Sequence, residues 1–304
     1  MAAAGLAGGG HAWAALALVF NAFTWGVSWW PIRQLAELGL HPLWLTGLIY
    51  TAAAVSLLIA RPAALAELLR TPALWALVLA SGATNACFNW AVSIGDVVRV
   101  VLLFYLMPLW TVLLSRWLLG ERISLRGAWR VALSLAGAVV VLWPAGGAAA
   151  VVVVLPSALP QWLPDALGLL GGLAFALNNV MLRREARRSP AARALAMFVG
   201  GAVVAKGLAA LLTQAALALP PPPLAWGWGL AALAMAGWFL VSNLALQYGA
   251  ARLPANTTSV IMISEVFFAS ASALAMGAGT LSWRAGLGAL MILGGALLAS
   301  LQKD

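Results

Sequence analysis

Apolar residues run almost unbroken from Trp13 to Leu301, interrupted only by short clusters that carry turn chemistry. The clusters are Gly39-Leu40-His41-Pro42, Arg61-Pro62, Gly95-Asp96, Gly120-Glu121-Arg122, the stretch from Pro144 to Pro164, Ser189-Pro190, and Pro220 to Pro223. Between them the pattern predicts ten helices, over 13–32, 43–60, 72–94, 97–119, 127–143, 163–183, 192–213, 224–249, 254–277 and 283–301. Most reach the roughly 20 residues needed to cross a hydrocarbon core of ~30 Å. The apolar run 151–155 is too short to span and reads as a loop or half-helix.

The pattern also repeats. Asn89, Ala91 and Gly95 recur with the same spacing as Asn243, Ala245 and Gly249, each set followed by a turn and a long apolar helix. Farther on, Ser124-Leu125-Arg126 answers Ser282-Trp283-Arg284, and Gly137 answers Gly295. Matched helix pairs in the same order point to an internal duplication. The expected fold is therefore all-α and polytopic, with ten transmembrane helices in two five-helix repeats, 1–145 and 163–304, joined by a periplasmic loop over 146–162.

Charge placement gives the orientation. With the amino end in the cytoplasm, thirteen of the 17 basic residues fall on the inner side, only Arg33, Arg99 and Arg284 fall outside, and Lys206 lies within a span. The loop after helix four holds Arg122, Arg126 and Arg130, whereas its counterpart after helix nine holds only Arg284. That swap is what two inverted copies require, with both termini cytoplasmic. The net charge of +9 thus reads as a topology signal, not as a nucleic-acid surface.

Composition agrees: 64% of residues are hydrophobic and 8% charged, against about one quarter charged in a soluble domain. No basic segment precedes the first apolar run, so the amino end reads as a spanning helix, not a cleaved signal. The one cysteine, Cys87, excludes an intrachain disulfide and a cysteine-based metal cluster. His11 and His41 lie in a tail and a loop, the acids show no ligand spacing, and no phosphate-binding motif appears. The expectation is a non-enzyme with no cofactor and no bound metal.

Polar residues inside spans need partners or water, so they report on the bundle interior. Helix one carries Asn21, Thr24 and Ser28 on one face, and helix three carries Ser81, Asn85 and Asn89 at i, i+4 and i+8. Asn178 and Asn179 sit in helix six; Ser242, Asn243 and Gln247 sit in helix eight. These are either interhelical hydrogen bonds or the lining of a central cavity. Most of the 16 tryptophans lie near helix ends as interfacial anchors, while Trp25, Trp110 and Trp238 are near mid-span and join the candidate lining with Tyr105. Lys206 and Glu265 are lone ionisable groups in spans: a mutual ion pair, or a proton or substrate-amine site at Glu265. A salt bridge is expected at the outer mouth, where Asp96 and Arg99 stand. Pro108 breaks a backbone hydrogen bond mid-helix and is a candidate hinge.

Thr24-Trp25-Gly26 in helix one, and Pro108 followed by Gly120-Glu121, resemble the EamA branch of the drug/metabolite transporter superfamily. In the second half Glu265-Val266 stands where that branch usually has Glu-Pro, and Gly279-Thr280 where it usually has Gly-Glu. The tryptophan-rich first helix and the layout resemble most the YddG-type exporters, which implies efflux of aromatic amino acids and related metabolites. The expected protein is a secondary or facilitative transporter in a bacterial inner membrane, moving aromatic or other neutral amino acids by alternating access. Its partners are a small-molecule substrate and the lipid bilayer, with no nucleic acid; the pattern does not fix an oligomeric state and is compatible with a monomer. The alternatives are a multidrug or other metabolite exporter of the same superfamily, a passive channel, or a structural membrane subunit.

Overall fold

The structure is a computed structural model and describes residues 2–118, 120, 125–142, 159–218, 220–223, 226–250, 252–253, 258 and 261–300. Among these residues it is helical throughout, with no strand. The helices are α1 (Ala2–Val27), α2 (Trp29–Glu37), α3 (Pro42–Ala60), α4 (Ala63–Arg70), α5 (Pro72–Ile94), α6 (Val97–Phe104) and α7 (Met107–Leu118), then α8 (Leu125–Leu142), α9 (Leu163–Arg184), α10 (Pro190–Gln214), α11 (Trp226–Ala250), α12 (Ser264–Ala275) and α13 (Trp283–Ser300). Among the described residues, seven stretches are long and apolar enough to cross a membrane: His11–Glu37, Pro42–Ala60, Pro72–Ile94, Val97–Leu118, Leu163–Arg184, Pro190–Gln214 and Trp226–Leu246. Ala132–Val141 and Ser264–Ala275 are shorter apolar helices. Most of the expected connecting loop, and Arg122 in the loop after the expected helix four, lie outside the described residues.

Proline divides two of the expected spans. Pro31 has no N–H for the carbonyl of Val27, and the chain breaks at Ser28, whose hydroxyl donates to the Trp25 carbonyl at 2.9 Å. Likewise Pro108 withholds the donor that Phe104 would have used, and α6 ends at Phe104 while α7 starts at Met107. The Phe104 carbonyl left over rests against α9 at Gly172, where a Cβ would stand 2.5 Å from it. Gly172 is thus small because a kinked neighbour needs the room.

One element was not expected. Arg61 and Pro62 end α3 and start the short helix α4, which buries Ala64 and Leu68 and leaves Leu65 and Leu69 exposed. Its Glu67 accepts from the Ser189 hydroxyl at 2.6 Å and the Ser189 N–H at 3.1 Å, which holds the Glu67 carboxyl below the usual carboxylate range. Ser189 also accepts from the Ala192 N–H and so caps α10.

Packing is mostly small-residue contact, the means by which helices associate in lipid. α5 lies between α9 and α10, α10 also covers α3, α8 pairs with α13, and α1 packs on α11 and α12. At the α5–α10 seam a Cβ on Gly200 would fall 2.1 Å from the Val78 carbonyl, and one on Gly82 would meet Val204 at 2.4 Å. Between α8 and α13, a Cβ on Gly137 would lie 2.9 Å from the Gly288 carbonyl, and one on Gly288 would lie 2.8 Å from the Gly137 carbonyl. Trp117, Trp129, Trp162, Trp226 and Trp283 are exposed at or near helix ends, where interfacial anchors belong, and Trp13 is exposed within α1, two residues into its membrane-length stretch. Trp44, expected among them, instead packs inward with its Nε1 buried.

Candidate substrate and coupling site

Two helix breaks and a glycine bring one acid to one phenol. Tyr105 follows α6 in the proline-induced break and is buried, at 2% exposure. Its hydroxyl lies 3.1 Å from Glu265 Oε2 and 3.2 Å from the Met262 carbonyl, and it donates its single proton to one of these acceptors at a time. Glu265 stands in the first turn of α12. α1 approaches that turn closely: a Cβ on Gly26 would lie 2.8 Å from the Glu265 carbonyl and 2.6 Å from Phe268. Beside Gly26, Trp25 stacks on Phe239 of α11 with ring centres 4.9 Å apart. Trp238 is half-buried next to Phe239.

The candidate asparagines divide between two seams. Asn21 donates to the Ser242 hydroxyl at 2.7 Å and to the Ser242 carbonyl at 3.0 Å, tying α1 to α11. Asn89 donates to Thr46 at 3.0 Å and Asn85 accepts from the Tyr50 hydroxyl, tying α5 to α3. Both are helix-to-helix bonds. Yet Asn21 Oδ1, Asn89 Oδ1, Asn178 Oδ1 and Trp110 Nε1 are buried with no hydrogen-bond partner. A buried polar atom left unpaired costs roughly 1–3 kcal/mol, and these four are half of the eight such side-chain atoms among the described residues.

The remaining candidates are placed differently. Asn179 is exposed, away from the interior, because only its neighbour Asn178 falls on the buried face of α9. Asn243 is half-buried on α11, and the Gln247 side chain lies outside the described residues, as does that of Pro108. Lys206 does not pair with Glu265: its stem crosses α3 at Gly47, where a Cβ would sit 2.3 Å from Lys206 Cγ, while the Glu265 carboxylate takes Tyr105. The Asp96–Arg99 side-chain bridge expected at the mouth is replaced as well. The Arg99 guanidinium forks onto Asp165 of α9 at 2.7 and 2.8 Å and donates to the Val141 carbonyl, whereas Asp96 caps α6 and accepts from Thr280. Asp165 lies 66 positions from Arg99, beyond the reach of any local pattern.

A groove of about 470 Å³ opens elsewhere, between α3 and α11, walled by Leu48, Ala52, Trp228, Leu230 and Leu233. None of the expected lining residues borders it.

The arrangement is an acid embedded among apolar helices and paired with a buried phenol. Such a set can hold a proton or the polar end of an amphipathic solute; it offers no nucleophile and, among the described residues, no group of ligands for a metal. Residues 12–143 match the EamA-like transporter family. This EamA-like segment takes in α2 to α8 and most of α1, and it supports the membrane-transporter superfamily expected from Trp25-Gly26 and Gly120-Glu121. The chain is also similar to a crystal structure of a protein 20% identical in sequence, over 95% of this chain and 96% of that one, with a TM-score of 0.56. At that identity the likeness shows the fold alone. No curated protein matches the chain.

Proposed function

We propose that the chain is a secondary or facilitative transporter that exports small neutral metabolites, foremost aromatic amino acids, across a bacterial inner membrane by alternating access. One observation carries the reading: the Glu265–Tyr105 contact joins an acid of the carboxyl-terminal half to a buried hydroxyl of the EamA-like half, inside the apolar bundle. A charge in such a place is costly and persists where it binds a proton or solute. Trp25 and Phe239, stacked between α1 and α11, offer aromatic surface, and the unpaired oxygens of Asn21 and Asn178 offer acceptors for an ammonium group.

The helix pairings support two inverted halves. If α1–α2, α3, α5, α6–α7 and α8 correspond to α9, α10, α11, α12 and α13, then α5 on α9 answers α1 on α11, and α5 on α10 answers α3 on α11. α6 and α7 on α9 answer α1 on α12, while α3 with α10 and α8 with α13 are their own counterparts. An exchange of this kind is what two copies related by a pseudo-two-fold axis produce.

The test is counterflow of labelled tryptophan or phenylalanine in proteoliposomes. Saturable exchange, reduced in Glu265→Gln, is the expected result. Flux linear in substrate with no counterflow indicates a passive pore, and no amino acid flux at all defeats the substrate assignment.

A further inference from the structure

We propose that Asp96 and Thr280 form the closing pair of a gate at one end of the path to Glu265, an inference that rests on the transporter reading above. The two carboxylate oxygens of Asp96 do different things. Oδ1 accepts from the Arg99 N–H at 3.0 Å and caps α6. Oδ2 accepts from both the N–H and the hydroxyl of Thr280 at 2.8 Å each, reaching the turn between α12 and α13. Beside it the Val97 N–H donates to the Ala278 carbonyl at 3.1 Å, so backbone and side chain bind the same turn. Gly279 makes the approach possible: a Cβ there would stand 2.7 Å from a Val98 methyl.

Below this polar rim lies an apolar plug. Val97, Val98 and Val101 of α6, with Ala273 and Ala278, are at most 6% exposed. Tyr105 and Glu265 lie beneath it, because nine residues of helix separate Asp96 from Tyr105, about 13 Å at ~1.5 Å per residue. Thr280 itself is exposed. Its bonds to Asp96 can therefore be exchanged for bonds to water at small net cost, while the plug reseals only when the turn returns to register. That combination is reversible and position-specific, as a gate requires.

The experiment places spin labels at Trp162→Cys and Leu281→Cys in a Cys87→Ala background, in nanodiscs, and reads the distance distribution by double electron–electron resonance. Trp162 caps α9, which Arg99 holds through Asp165, so that label moves with α6; Leu281 adjoins Thr280. The labelled parent should give one short population. Thr280→Glu sets carboxylate against carboxylate and should add a longer one, whereas Thr280→Gln, of equal size and uncharged, should not. Adding Asp96→Asn to Thr280→Glu supplies an amide donor and should bring back the short population. Each variant is first checked for an unchanged thermal transition. An unaltered distance in Thr280→Glu, an equal shift in Thr280→Gln, or a double variant that stays open overturns the pair. The readout needs no substrate, so its failure is distinct from failure of the counterflow assay.

Discussion

The hydroxyl of Tyr105 and Oε2 of Glu265, residues 160 positions apart in sequence, meet at 3.1 Å. Tyr105→Phe removes the donor and leaves the ring in place. A hydrogen bond to a charged group is worth ~1.5–3 kcal/mol, so substrate affinity or the pH dependence of exchange should change by roughly tenfold or more. Counterflow measured from pH 5.5 to 8.5 checks this, and a profile identical to the parent's rejects Tyr105 as a partner in coupling. Glu265→Gln should remove the pH dependence altogether.

Gly200 and Gly227 make a matched pair for testing the α5–α10 seam. Gly200→Ala drives a Cβ to 2.1 Å from the Val78 carbonyl, while nothing lies within 4 Å of a Cβ on Gly227. Overpacking of that kind typically costs ~1–3 kcal/mol. Gly227→Ala should be neutral or stabilise α11 by up to ~1 kcal/mol, since alanine is the better helix former. Thermal unfolding in one detergent, both variants against the parent, separates the two.

His41 predicts a loss of stability in acid. Its Nδ1 accepts from the Leu43 N–H at 3.2 Å as the cap of α3, and burial pushes its pKa down from 6.5 to about 4. The unfolded chain therefore binds a proton more readily than the folded one between those values. Stability is fully present above about 6.5 and declines as pH falls toward 4. His41→Asn keeps a capping acceptor and removes the titration, so its melting temperature should fall less between pH 7 and pH 4.5. An equal fall in both proteins assigns the acid sensitivity elsewhere.

Arg99 should not tolerate lysine. Its guanidinium makes two parallel bonds to Asp165 and a third to the Val141 carbonyl, linking α6, α9 and α8. An ammonium cannot reproduce the fork, and Arg99→Lys should cost about 1–2 kcal/mol, as should Asp165→Asn, with the double variant far from additive. A double-mutant cycle on thermal unfolding gives the coupling, and near-zero coupling discards the pair as a structural link.

Much of the helical layout was legible in the chain because a membrane span must be long, apolar and bounded by turns, and those constraints are local. Pro108 could likewise be read as a break, since a missing N–H acts within one turn. The break at Ser28 has the same cause three residues away in Pro31, and could have been read too. α4 escaped notice because eight residues with two leucines outward carry too little pattern to separate from a loop. Asn178 and Asn179 show where the local signal ends: adjacent and identical, they differ in burial because α9 turns one of them inward.

The sequence by itself determined that this chain is built on apolar helices long enough to span a membrane, where most of them start and stop, and which few polar groups those spans carry. Tertiary structure alone decided their partners. Glu265 takes Tyr105 and not Lys206, Arg99 takes Asp165 and not Asp96, and Asp96 is left for Thr280. The reason is physical: hydropathy is a property of each segment in lipid, whereas an ion pair or hydrogen bond depends on how two helices far apart in the chain are rotated and brought together. In this bundle that rotation is set by where glycines let backbones touch.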